Sequence, residues 1–381
     1  MGLLAKGEQS LVLTRVEVQQ KNIDWAFGET DLSQAKQDQL RATFNWLQES
    51  DRNYLNPTVK QLGNFASRMH VPFGNLLLRK IPETEPIQLA FRTKANVPAQ
   101  VSLNTRAVIY EMLRKQAWFK TESGYADSEL SLIGVAASPR YSVDDVVTKV
   151  GSLLTLRHFG SARELFNDLR MQIARHKILV MQKGGAGLGT NRPLQVEEVR
   201  AFVLLDGYAP LIFLNQKDSY MTRVFSLIHE FIHILRGTDE LFATINHTLK
   251  EERFINEVTA SFLMPAEEFV TEFRASGIRE VATHFNVSLF AVAIRARHLG
   301  LISDDLNLSE LDLESTASHK SVGGNPYYTA LSFNDNRYMT ALVKSQENGT
   351  LPPTKAAALL GVSTKMLDKT IRIFNEREVR L

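Results

Sequence analysis

The chain has no cysteine among its 381 residues. Disulfides and thiolate chemistry are thereby excluded, and a bound transition metal would have to be held by nitrogen and oxygen donors. No apolar run approaches the roughly 18 residues a membrane-spanning helix needs, and the opening MGLLAKGEQSLVLTRVEV, broken by Lys6 and Glu8, has no signal-like apolar core. Charge of one sign is also scarce: 44 Lys and Arg stand against 42 Asp and Glu, a net +2, so no chain-wide nucleic-acid footprint is expected. What remains, 44% hydrophobic and 23% charged residues, is the composition of a globular protein long enough for two or three cores. A cytoplasmic location, with no membrane contact, is the expectation.

Against this background one stretch stands out. Residues 225–237, FSLIHEFIHILRG, carry His229, Glu230 and His233 as H-E-x-x-H inside an apolar run. Positions i and i+4 share a helix face, so His229 and His233 can present ring nitrogens to one tetrahedral zinc. Glu230, next to the first ligand, is placed to take a proton from water activated by the metal and pass it to a leaving amine. That is the chemistry of a zinc peptidase. Two incidental histidines are the alternative, but Phe225, Leu227, Ile228, Phe231, Ile232, Ile234 and Leu235 predict a helix buried nearly all round, where unliganded polar groups are costly.

A catalytic zinc needs a third protein ligand, here Asp, Glu or His. Residues 251–265, EERFINEVTASFLMP, read as a second helix with Phe254, Val258, Phe262 and Leu263 apolar and Pro265 as its stop. Glu257 falls on or near the buried side, where a carboxylate wants a cation. Glu251 and Glu252 read as solvated first-turn acids. Glu257 is therefore the expected ligand, and His247, in the segment between the two helices, competes with it.

HEFIHILRG followed by NEVTASFLMP resembles the ImmA/IrrE family of zinc metallopeptidases, whose core helices read approximately HE-x-x-H and E-x-x-A-x-x-F-x-x-x-L-M-P. The resemblance is strong over residues 170–265 and extends upstream through ILVMQ and downstream to GGN-x-Y-Y. It implies a zinc site of His229, His233 and Glu257 with Glu230 as general base. It also implies action on one regulatory partner, often a helix-turn-helix repressor, or a place beside a toxin as an antitoxin.

The remainder divides by pattern. Residues 1–80 look helical, and PTVKQLGNFASRMHVPFGNLLL resembles the closing helices of the family's repressor-like helix-turn-helix. Residues 21–52 nevertheless carry a net charge of −2, a poor phosphate contact. Residues 81–150 read as a proline-rich arm and a long helix from Leu103 to Glu122, whose Trp118 and Phe119 are either core or an exposed patch. Residues 151–302 hold the metallopeptidase-like domain with a helical appendix. ILVMQ, AFVLLD and LIFLN are its strands, and LIFLN is the candidate for holding substrate by backbone pairing. The loop GGAGLGT lacks the lysine and spacing of a phosphate cradle and reads as a connection. Residues 303–320 are an acidic linker, and residues 321–381 a C-terminal helical domain with a mildly basic helix-turn-helix-like end.

The expected fold is thus α+β, a zincin-like metallopeptidase core with helical, helix-turn-helix-like domains at both termini. The expected function is an intracellular zinc-dependent metallopeptidase that cleaves a specific protein partner, a repressor or toxin. The competing reading is an antitoxin or transcriptional regulator that binds toxin or DNA, with a non-catalytic metal site.

Overall fold

The structure, a computed structural model, describes residues 14–28, 34–48, 53–69, 71, 73–80, 102–122, 129–188, 192–238, 245–303 and 324–378. The proline-rich arm and residues 304–320 of the acidic linker fall outside them. The chain forms two compact units, Met1–Pro86 and Ile87–Leu381.

In the first unit, β1 (Val18–Gln19) pairs antiparallel with β2 (Tyr54–Leu55), around α1 (Gln20–Gly28), α2 (Gln34–Thr43) and α3 (Val59–Met69). Helix α3 starts where Pro57 and Thr58 suggest: Gln61 N donates to Thr58 Oγ1 and Thr58 N to Gln61 Oε1, a reciprocal cap. Its Phe65 sits edge-on to Phe27, Phe44 and Trp46 at 5.6, 5.3 and 5.5 Å, which gives a small unit an aromatic core.

The second unit is built on a three-stranded sheet of β3 (Leu179–Lys183), β4 (Ala201–Leu204) and β5 (Leu211–Asn215) in the order β3-β5-β4. Strand β5 runs parallel to β3 and antiparallel to β4. Every residue of the three strands is buried. Successive side chains alternate between two cores: Val180, Ala201, Val203, Ile212 and Leu214 enter one, and Leu179, Met181, Phe202, Leu204, Leu211 and Phe213 the other. A sheet covered on both faces has no polar side, which is why its strands appear in the sequence as continuous apolar runs. LIFLN is the central strand, with its backbone committed to neighbours on both sides, so the expectation that it pairs with substrate is corrected; β4 is the outer antiparallel strand.

The first core is covered by α5 (Val143–Leu153), α6 (Ala162–Arg175), α7 (Tyr220–Arg236), α8 (Ile245–Leu263), α9 (Ala266–Ala275), α10 (Ile278–Phe285) and α11 (Leu289–His298). The second is covered by α4 (Leu103–Glu122), α12 (Pro326–Phe333), α13 (Asn336–Glu347), α14 (Pro353–Leu360) and α15 (Thr364–Glu378). The C-terminal helices, expected as a domain of their own, therefore share a core with the sheet. Trp118 and Phe119 are core residues, their rings 5.2 and 6.1 Å from that of Tyr338.

The outer edge of β3 is closed by the turn between α12 and α13. Asp335 Oδ2 accepts from Val180 N, and Gln182 Nε2 donates to Ser332 O. The glycine loop after β3 folds back on itself through Ala186 N to Arg192 O and Leu194 N to Gly184 O. A Cβ on Gly185 would come within 2.5 Å of the Arg192 carbonyl oxygen, so this glycine serves close backbone approach, in keeping with a connection.

A candidate metal centre between two helices

Helix α7 begins at Ser219, whose hydroxyl accepts from Thr222 N, and ends at Gly237, at φ +68°. A side chain at Gly237 would need that left-handed backbone and would also approach Gly134 Cα to 3.3 Å. The segment before α5 caps the helix end: Gly134 N donates to Ile234 O and Ala136 N to Leu235 O, while Arg236 Nη1 returns a bond to Ala136 O at 2.6 Å. The last turn of α7 is thus fixed by backbone partners from another segment, which satisfies carbonyls that a helix end leaves over. His229, Glu230 and His233 are buried on this helix, Glu230 at 3% exposure.

The two imidazoles turn toward one point, with Nε2 of His229 3.1 Å from Nε2 of His233. The third group at that point is Glu252. Its Oε1 lies 3.1 Å from His233 Nε2 and its Oε2 3.3 Å from His229 Nε2. Burial opposes the charge on Glu252, yet hydrogen bonds and attraction from His229 and His233 hold its carboxyl well below the usual carboxylate range. Behind the cluster, His233 Nδ1 is 2.9 Å from Thr238 Oγ1, which fixes the orientation of that ring.

Glu257 does not join the histidines. Its side chain is 39% exposed and its carboxylate lies 3.6 Å from His298 Nε2. The reason for the difference is the start of α8. The helix begins at Ile245, not near Glu251, so Glu251 and Glu252 lie in its interior and not in a solvated first turn. Arg236 takes Glu251 in a two-pronged ion pair, Nε to Oε1 at 2.6 Å and Nη2 to Oε2 at 3.0 Å, which ties the end of α7 to α8 one residue before Glu252. The buried stripe Ile255, Thr259 and Phe262, followed back one turn, reaches Glu252, so a signal for it is present in the sequence. Thr238 and the Arg236–Glu251 pair carry no such signal. His247 belongs to α8 and not to a connecting segment, and its side chain lies outside the described residues.

Ligand atoms on about 2.0 Å bonds to a tetrahedral ion stand about 3.3 Å apart. The two Nε2 atoms are 3.1 Å apart and each faces a different Glu252 oxygen, at 3.1 and 3.3 Å, so the three groups stand close enough to share one ion. Two imidazoles and one carboxylate are a donor set that could hold a divalent metal ion.

Residues 175–297 match the family model described as Peptidase M78, IrrE N-terminal-like domain. No curated protein and no solved structure matches the chain. The matched span begins just before β3 and ends in α11, so it contains the sheet, both helices of the donor cluster and the helices that follow. Residues 175–297 are thus similar to an IrrE N-terminal-like domain, consistent with the resemblance to the ImmA/IrrE family.

Proposed function

We propose that the protein is a zinc-dependent metallopeptidase of zincin-like design that cleaves one specific regulatory protein, such as a helix-turn-helix repressor or a toxin. The observation that carries this reading is the cluster of His229, His233 and Glu252, close enough to share one ion, with the buried Glu230 beside it on α7. Bound zinc supplies a Lewis acid and acidifies water to a pKa of about 7. With zinc held by His229, His233 and Glu252, Glu230 would be the group to take a proton from water and pass it to a leaving amine. Thr238 holds His233 in register, and the Arg236–Glu251 pair holds α8 so that Glu252 faces the histidines. With β5 enclosed, backbone pairing of a substrate falls to β4.

The ligand assignment separates two neighbouring glutamates. Glu252→Gln is expected to cut zinc retention by about 10-fold or more, whereas Glu257→Gln should leave about one zinc in the buried site. Metal analysis after dialysis against a weak chelator reads both. Loss of the buried zinc from the Glu257 variant with retention in the Glu252 variant would restore the sequence-based choice and sink this one.

A second reading, a regulator that binds DNA, is favoured by one feature. Helix α14, the left-handed Gly361 at φ +73° and α15 form a helix-turn-helix order, with Lys365, Lys369 and Arg372 exposed along α15. If α15 contacts duplex phosphates, the triple variant K365A/K369A/R372A should flatten the slope of log K against log salt by about 3. No binding of the unaltered protein to a duplex at low salt removes this reading.

A further inference from the structure

A second set of donors converges where the loop after α5 meets α9 and α10. Glu268, in the first turn of α9, places its Oε1 2.8 Å from His284 Nε2 and 3.4 Å from His158 Nε2. The two imidazole rings stand 5.4 Å apart, and one donor atom from each of the three residues lies within 4.8 Å of the other two. Three separate segments thus aim two ring nitrogens and a carboxylate oxygen at one place.

The backbone fixes this convergence. Asn286, left-handed at φ +56°, ends α10 two residues after His284, and its Nδ2 donates to Phe159 O at 2.9 Å. The residue after His158 is therefore tied to the cap of the helix that carries His284. His158 and His284 line a small cavity with Leu165, Leu263 and Phe285, into which Arg157 and Asn286 also reach. His284 also lies in the last turn of α10, where the helix end favours positive charge.

We propose that His158, Glu268 and His284 form a second divalent-cation site, separate from the buried cluster and selective for borderline transition metals such as zinc over magnesium or calcium. Two imidazoles and one carboxylate are zinc-type donors, whereas the hard cations take oxygen almost throughout. Both Nε2 atoms face the same carboxylate oxygen, an arrangement that a single cation satisfies at once. The side chains are about a third exposed at Glu268 and His284 and 65% exposed at His158, so the site is open to exchange with solvent. Occupied, it cross-links the loop before α6 to α9 and α10. The inference is independent of the peptidase reading.

Equilibrium dialysis of the full chain against micromolar zinc, with metal analysis of three proteins, tests it. The unaltered chain should bind about two zinc ions, the surface variant H158N/H284N about one, and the buried-cluster variant H229N/H233N about one. Because His158 and His284 are partly exposed, the surface variant should fold, and its far-ultraviolet circular dichroism should match that of the unaltered chain. Stoichiometry unchanged by H158N/H284N overturns the proposal, as does a buried-cluster variant that binds no zinc at all. If the buried variant instead keeps both ions, the assignment of the other site fails and this one is judged by the surface variant alone.

Discussion

Glu230→Gln is expected to lower kcat/KM for peptide cleavage by about 10³-fold while the zinc content stays unchanged, since general-base assistance contributes roughly 10²- to 10⁴-fold. Glutamine keeps the shape and one acceptor oxygen of a side chain that is 3% exposed, so packing of α7 is preserved. What it lacks is an ionisable carboxylate to accept a proton, and His229 and His233 keep their positions on the same helix. The measurement is a pair of assays on one preparation: cleavage of a quenched fluorescent peptide library, and metal analysis. An E230Q variant that cuts as fast as the unaltered protein would end the proposed role of Glu230. Parallel loss of zinc and cleavage would make Glu230 a structural member of the cluster instead.

How far the site can be read in advance differs between its two helices. The α7 half is local: His229 and His233 are one turn apart, and one turn of helix is a fixed geometry. The α8 half depends on where that helix starts and how it is rotated. Inside the helix, Arg236 grips Glu251 from α7, an interaction with no local trace. An acid near a supposed first turn thus reads as solvated, and Glu257, beside the apolar Phe254 and Val258, reads as buried. In the fold Glu257 faces His298 and Glu252 faces the histidines.

The same division between local and long-range information runs through the fold. ILVMQ, AFVLLD and LIFLN announce themselves as strands because burial on both faces leaves mostly apolar positions, with Gln182, Lys183 and Asn215 entering only at strand ends. Their order does not follow from their sequence, and LIFLN occupies the middle. Ser321 onward reads as a separate domain because its helices carry ordinary amphipathic patterns and follow an acidic stretch. The face they cover, with Phe202 and Phe213, belongs to the sheet and is assembled from distant segments.

Least legible of all is the charge buried in that second core, and it leads to the other large expected effect. Glu111 of α4 meets Lys183 at the end of β3 at 2.6 Å and Lys115 at 3.1 Å, and Lys115 also donates to Asn334 at 2.7 Å. Lys183 and Lys115 are nearly inaccessible, at 2% and 1%. In the sequence these are three of many charged residues. In the fold one carboxylate serves two buried ammonium groups. Burial alone would raise the Glu111 pKa, but the two lysines reverse that and hold it at about 2, against an ordinary 4.5. Burial is also the largest influence on Lys115 and pulls its pKa down, with Glu111 opposing.

A carboxyl group whose pKa is depressed in the folded state stabilises the fold above its unfolded pKa. The contribution is lost as pH falls from about 4.5 to about 2. The shift corresponds to about 3 kcal/mol at neutral pH. Glu111→Gln should cost more, about 3 to 5 kcal/mol at pH 7, because it leaves two buried cations without their anion. The cost should shrink as pH approaches about 3, where the unaltered protein itself begins to lose the ionised carboxylate. Urea unfolding at neutral pH and in mild acid measures both. The triple variant E111L/K115M/K183M removes all three charges together and should regain most of the loss at neutral pH, since apolar groups of similar size often replace a buried ionic cluster at little cost. An E111Q variant within about 1 kcal/mol of the unaltered protein would show that water reaches the cluster. If the triple variant proved no more stable than the single one, the deficit would lie in packing around Tyr338, over whose ring Lys115 Nζ stands at 5.7 Å.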